Sequence, residues 1–270
     1  MNGDFPDLDT LSFDEPEPGI GVLTINRPGR MNSQTVQMFH EYLAASRFLR
    51  DSGLRALILT GAGDRAFCAG FDLDEISVIT QMGVREFLKF QETATGGIQG
   101  IRHLPFPVIA AIHGPATGGG MALALAADIR LAAPTVKLSA AFVKVGLSIG
   151  ELGTSFNLSR LVGPARAAEI GFTGRIITAD EAERIGLVNR IVPSESLRDE
   201  ALSMARQIAK NSPGGVRMSK RAIQRNAEIG SYEAALELEN RGQALLTRTE
   251  DMPEALAAFK EKREPNFVGR

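Results

Sequence analysis

The stretch that most limits what this chain can fold into is a glycine run, Gly118-Gly119-Gly120, set between two apolar segments. Before it stand Pro107-Val-Ile-Ala-Ala-Ile112 and then His113-Gly114-Pro115-Ala116-Thr117; after it comes Met121-Ala-Leu-Ala-Leu-Ala-Ala127. The pattern predicts a buried strand, a tight turn and the first turn of a helix. A helix start carries unpaired N–H groups and the positive end of the helix dipole. Glycine at that point lets a ligand approach the backbone closely. Such a turn is suited to holding a negative oxygen.

The flanking sequence repeats the strand–helix alternation. Ile20–Ile25 reads as a strand, Ser33 to about Asp51 as a helix capped by Ser33, and Leu54–Thr60 as the next strand. This order is α/β logic. Residues 1–19 read as a loose lead-in. A loop of small residues, Gly61 to Leu73, follows the second strand. Residues 74–103 read as a weak helix, because Gly83, Gly96, Gly97 and Gly100 each cost about 1 kcal/mol relative to alanine in a helix interior. A mobile gate and an irregular surface helix both fit that segment. Past the glycine run, Asp128–Ala132, Val136–Ala140 and Leu187–Val192 read as strands, and Thr178-Ala-Asp-Glu181 as a capping box. Beyond Pro193 only helical spacing remains, over 194–211, 214–229, 231–248 and 252–262. The division expected is a core over 1–193 and a helical region over 194–270 for oligomerisation and for a lid.

Composition excludes several classes. Of 270 residues, 44% are hydrophobic and 23% charged, enough for a large core. A net charge of −2 without a basic stripe argues against nucleic acid and anionic membrane as partners. The single Cys68 allows no internal disulfide. The acidic, proline-containing start has neither a basic nor an apolar leader segment, and no apolar stretch is long enough to span a bilayer. A cytoplasmic protein without a metal site is expected.

Three motifs in order resemble the crotonase superfamily, the enoyl-CoA hydratase/isomerase family. They are Gly61-x-Gly63-x-x-Ala66-Phe67-Cys68-Ala69-Gly70-x-Asp72-Leu73, the segment Pro107 to Gly120, and Gly153-Thr-Ser-x-x-Leu-x-Arg-Leu-Val-Gly163. Leu23-Thr-Ile-Asn-Arg-Pro28 with Asn32, Thr178 to Val188, and Ala258-Phe259 to Pro265 add to the match, which covers nearly the whole chain. The resemblance implies a spiral of ββα units followed by a helical trimerisation region. It implies an acyl-CoA thioester as ligand, with coenzyme A part of the substrate and no separate cofactor, and a homotrimer or a dimer of trimers.

The resemblance also assigns roles. The backbone N–H groups of Phe71 and Gly119 would form an oxyanion hole, stabilising the enolate that builds up when a proton moves next to a thioester. Ala69, Gly70, Asp72 and Leu73 in the first loop, with Gly118 and Phe142, would line the thioester site. Arg30, ahead of Arg27, and Lys262 with Arg263 would meet the CoA phosphates, although Met31 stands where relatives often carry a basic residue.

The proton-transfer positions depart from the family pattern. The hydratase glutamates would fall at Ala122 and Phe142, and neither side chain can move a proton. Glu151 remains, about where dienoyl-CoA isomerases and a dehalogenase of the family carry a catalytic aspartate. A single carboxylate can shuttle a proton between carbons, which favours isomerase over hydratase chemistry; a helix-charging role for Glu151 is the alternative. A hydratase of fatty-acid degradation using Glu151 and a non-catalytic acyl-CoA-binding protein stay open as further readings. No Ser–His–Asp pattern near the run supports a peptidase. Asp72, Asp128 and His113 read as structural, His40 and His103 have no partner signal, and small size explains Cys68.

Overall fold

The computed structural model describes residues 5–270. A hairpin comes first, β1 (Leu11–Glu17) and β2 (Ile20–Ile25). The lead-in expected over residues 1–19 thus contains a strand; its residues 1–4 lie outside the described residues. Leu11 and Phe13 turn inward, and a register shift between Asp14 and Glu17 takes up Pro16, which cannot donate to a ladder. Then come α1 (Val36–Arg50), β3 (Ala56–Gly61), α2 (Ile76–Gln81), α3 (Val84–Arg102), β4 (Val108–Ile112) and β5 (Ala116–Thr117). Next are α4 (Gly119–Ala126), β6 (Ile129–Ala132), β7 (Lys137–Ser139), α5 (Thr154–Val162), α6 (Pro164–Thr173), β8 (Ile177–Thr178), α7 (Ala179–Arg184) and β9 (Arg190–Ile191). Four helices close the chain, α8 (Leu197–Ala209), α9 (Pro213–Asn226), α10 (Tyr232–Leu246) and α11 (Asp251–Glu261).

Two mixed sheets result. One runs β1-β2-β3-β4-β6-β9, parallel except for β1; the other runs β5-β7-β8, with β8 antiparallel. The large sheet is buried on both faces, so its central strands are apolar without interruption. Their alternation still sorts the side chains. Leu23, Ile25, Leu57, Leu59, Val108, Ala110 and Ile112 join the core shared with α1, α3 and α4. Ile20, Val22, Ala56, Ile58, Ile109 and Ala111 face the other way, against Leu197, Ala201, Leu202 and Ala205 of α8. The first helix of the region after Pro193 is therefore packed onto the sheet.

Three local expectations are corrected. Helix α1 is capped two residues later than expected: Thr35 caps it, its Oγ1 accepting from Met38 N at 3.1 Å, and Ser33 is used elsewhere. Thr178 makes no capping bond, and the Glu181 side chain that would complete a capping box is held by the Arg175 guanidinium. The glycines of 96–100 do not loosen their helix. A Cβ on Gly97 would sit 2.9 Å from Tyr42 Cβ and 3.0 Å from Phe39 O, and one on Gly100 would collide with Ser46 Oγ. They let α3 lie close against α1. The glycine run is as the sequence predicts, strand β4 leading through a turn and the short β5 into the first turn of α4.

Candidate active site

The site is built from backbone. Residues 68–72 thread between the 31–34 loop and β5. Cys68 N donates to Pro115 O at 3.2 Å and Thr117 N to Cys68 O at 3.1 Å, while Ala69 N donates to Met31 O at 3.1 Å. Gln34 N donates to Gly70 O and Asp72 N to Gln34 O, both at 2.7 Å. Bonds at residues 70 and 72 leave the N–H of Phe71, between them, directed away from Gln34. Among the described residues it has no acceptor. Gly119 N opens α4 and has none either, as the first N–H of a helix requires. Gly118 N, just before it, is bonded to Ser139 O at 2.9 Å.

The two free donors are neighbours. Gly70 sits at φ +94°, and a Cβ there would lie 2.6 Å from Thr117 O and 3.6 Å from Gly119 N. Only glycine permits both that backbone angle and that approach. Gly118, at φ +54°, turns the chain into α4 with the Phe142 ring in van der Waals reach. Two N–H groups set in place before any ligand arrives can stabilise a developing oxyanion; loss of one such donor costs about 10²–10³ in rate.

Asn32 and Asp72 hold the surrounding loops. Buried Asn32 donates to Ala62 O at 2.9 Å and Ala66 O at 2.8 Å and accepts from Arg27 N at 3.0 Å. Asp72 accepts from Arg27 and Arg30, both at 2.9 Å, from Ser33 Oγ at 2.9 Å and from Asp74 N at 3.2 Å. Arg30, then Arg27 and Ser33, hold its carboxyl well below the usual carboxylate range. Asp72 is thus an anchor, as the sequence reading has it, but guanidinium groups rather than backbone do most of the anchoring. Arg30, expected on a CoA phosphate, is bound to Asp72 and Asp74. Its neighbour Leu73 is 71% exposed.

The side chain of Phe71 packs into an aromatic cluster. It stacks on Phe39 at 6.3 Å between ring centroids and meets Phe90 edge-on at 6.2 Å; Phe87 extends the group. The ring ties the loop to α1 and α3. Next to Phe90, Gln91 donates from Nε2 to Glu151 Oε2 at 3.3 Å. Sequence reasoning passed over Gln91, since nothing in a helix of mixed polarity marks it. Glu151 stands ahead of α5, its carbonyl accepting from Thr154 N at 2.8 Å. Burial raises its carboxyl above the ordinary value and the Gln91 bond partly offsets this. Leu152 lies against Gly119, 3.4 Å from where a Cβ would stand, so the Glu151 turn abuts the donor pair.

Ala122 is fully buried and Phe142 nearly so. Burial pushes the Cys68 thiol up to about 12, which leaves no thiolate for nucleophilic work. His113 is held neutral mainly by burial, and its Nε2 has no partner among the described residues. Lys262 is exposed at the end of α11, and no hydrogen bond or ion pair links it to this site among the described residues. A cavity of about 730 Å³ lies elsewhere, between the core and α9 beside the Asp128–Lys220 ion pair. It includes neither free donor nor Glu151. The chemistry argues for the donor pair as the site, because that pair is unpaired while Asp128 and Lys220 beside the cavity bond each other.

An α/β scaffold of two mixed sheets here presents paired main-chain donors beside a partly buried carboxylate, an arrangement able to stabilise a carbonyl oxygen that gains charge. The enoyl-CoA hydratase/isomerase family model matches residues 15–270. A probable enoyl-CoA hydratase of Mycobacterium tuberculosis is 40% identical over 263 residues, covering 94% of this chain and 91% of that one. The 1,2-epoxyphenylacetyl-CoA isomerase of Escherichia coli is 37% identical over 257 residues, covering 94% and 97%. The crystal structure of a Bacillus anthracis enoyl-CoA hydratase superposes with a TM-score of 0.91 at 35% identity, covering 97% of this chain and 100% of that one. The chain belongs to the enoyl-CoA hydratase/isomerase (crotonase) family and is an enzyme acting on acyl-CoA.

Proposed function

We propose that this enzyme is an acyl-CoA isomerase. Phe71 N–H and Gly119 N–H hold the thioester oxygen, and Glu151 carries a proton from one carbon of the acyl chain to another. The observation that supports this most is the pairing of Ala122 and Phe142, both apolar and buried, with one carboxylate whose proton affinity burial has raised. Removal of a proton next to the thioester leaves an enolate, which the two donors stabilise more than the ground state. The same carboxyl, now protonated, returns the proton at the distal carbon. One group suffices because the proton is conserved. Hydration needs a base for water and an acid for carbon.

Glu151→Gln should abolish turnover of a Δ3-enoyl-CoA while thioester binding persists, measured by product analysis and calorimetry. Turnover like that of the parent enzyme removes Glu151 from the mechanism. A second reading, hydratase with Glu151 positioning water, draws support from relatives named as hydratases. Mass spectrometry of products from an unsaturated-thioester panel separates the two, since hydration adds the mass of water and isomerisation adds nothing. Calorimetric binding with no turnover across the panel would favour a non-catalytic acyl-CoA-binding protein.

Ala69, Gly70, Asp72, Leu73, Gly118 and Phe142 shape the thioester site in this proposal, and Arg30 meets a CoA phosphate from the outer side of its ion pairs. Residues 5–193 form the core, with α8 packed on their large sheet. Residues 194–270 assemble the trimer, or a dimer of trimers, and close over CoA, with Lys262 reaching its nucleotide end. Exposed Tyr232, Leu245 and Phe259 on α10 and α11 support assembly through that region. No helix is long and apolar enough to cross a membrane. A cytoplasmic location is part of the proposal.

A further inference from the structure

We propose that Gln34 is the positioning residue that fixes the separation and direction of the two oxyanion donors. The inference rests on the reading of Phe71 and Gly119 as that pair. Gln34 touches both. Its backbone N–H and C=O bond Gly70 O and Asp72 N, the groups on either side of Phe71, each at 2.7 Å. Its side-chain Nε2 donates to Gly119 O at 3.2 Å, across 85 residues of sequence. Between the described residues, no other single residue binds both halves of the site through hydrogen bonds.

The side chain is fully buried, and among the described residues its Oε1 has no hydrogen-bond partner. A buried amide oxygen left unpaired is costly, so the residue is poorly explained as packing alone. The amide cannot be reversed to relieve it, since Oε1 would then face the Gly119 carbonyl, acceptor against acceptor. The Oε1 atom occupies the space that a Cβ at position 119 would need. Gln34 and Gly119 are therefore coupled choices. The glycine makes room for the amide, and the amide holds the glycine's peptide. The Tyr42 hydroxyl, donating to Met38 Sδ at 3.2 Å, stands beside the same amide.

Preset donors work only at the position the oxyanion will take, and a small misplacement is costly. Gln34→Met removes the donor at nearly constant volume. The probe is the CoA thioester of 3-phenylacrylic acid, whose absorbance band moves to longer wavelength when its carbonyl is polarised. In the parent enzyme, binding should shift that band. In Gln34→Met the shift should shrink and kcat for a Δ3-enoyl-CoA should fall about 10- to 100-fold, with KM within about threefold. Gln34→Glu is the second variant and serves if Gln34→Met does not fold. Its buried carboxyl can donate to Gly119 O only when protonated, so the band shift should return as pH is lowered. A parent-like band shift and kcat in Gln34→Met, or a pH-independent shift in Gln34→Glu, overturns the role of Gln34. No band shift in the parent enzyme instead overturns the oxyanion reading beneath it.

Discussion

At the scale of single residues, the site divides into groups whose charge is fixed and one whose charge is not. Asp72 is tied so tightly to Arg30 and Arg27 that it stays ionised through any working pH. Half-exposed Arg30 gives the largest part of that lowering, yet solvent screens its share of the stability, and the more enclosed Arg27 bond is the firmer hold. Glu151 is the opposite case. Desolvation raises its carboxyl and one Gln91 bond resists. As a base it must be ionised in the free enzyme, so kcat/KM should fall as pH drops through a limb lying above the ordinary carboxylate value of 4.5. Gln91→Leu removes the bond that favours the charged form and should move that limb to higher pH, measured by a pH–rate profile. The motif residues Gly70, Asp72 and Gly119 were legible in the sequence because their spacing is tied to a backbone path. Gln34 and Gln91 were not. A glutamine beside a helix cap, or within a mixed helix, has no spacing that sets it apart from a solvated one.

At the scale of elements, the sequence disclosed which segments are helices better than why. The four helices after Pro193 lie within a few residues of their expected places, because their apolar spacing is regular. Strand β1 was hidden by its acidic residues and Pro16, which an edge position tolerates. The glycines of α3 left two readings open in the sequence, since low helix propensity looks the same in a mobile segment and at a tight crossing. The two differ in a measurable way. Were the segment loose, Gly97→Ala would stabilise the protein by about 1 kcal/mol through helix propensity. Against the Tyr42 and Phe39 contacts it should destabilise by about 1–3 kcal/mol, read from thermal or urea unfolding. The same close crossing carries Phe90 and Gln91 of α3 to Phe71 and Glu151, so the variant should also lower activity.

At the scale of the whole molecule, the proposed assembly makes a clear demand. A trimer of 29.0 kDa chains should appear in light scattering, and Phe259→Asp, at a position 84% exposed in the single chain, should shift the mass downward. A parent protein of monomer mass would remove the trimer. Within the chain, α9 is latched to the core by buried Lys220, which reaches Asp128 at 2.7 Å and Phe106 O at 2.9 Å. The core and the last helices thus meet through a designated contact, whatever their arrangement with other copies. The donors Phe71 N–H and Gly119 N–H have one more consequence. They belong to the main chain, so a side-chain exchange can misplace them but not remove them, whereas the proposed proton carrier is a single replaceable carboxylate. Inheritance can therefore rewrite the reaction at positions such as 122, 142 and 151 while the grip on the substrate passes unchanged from ancestor to descendant.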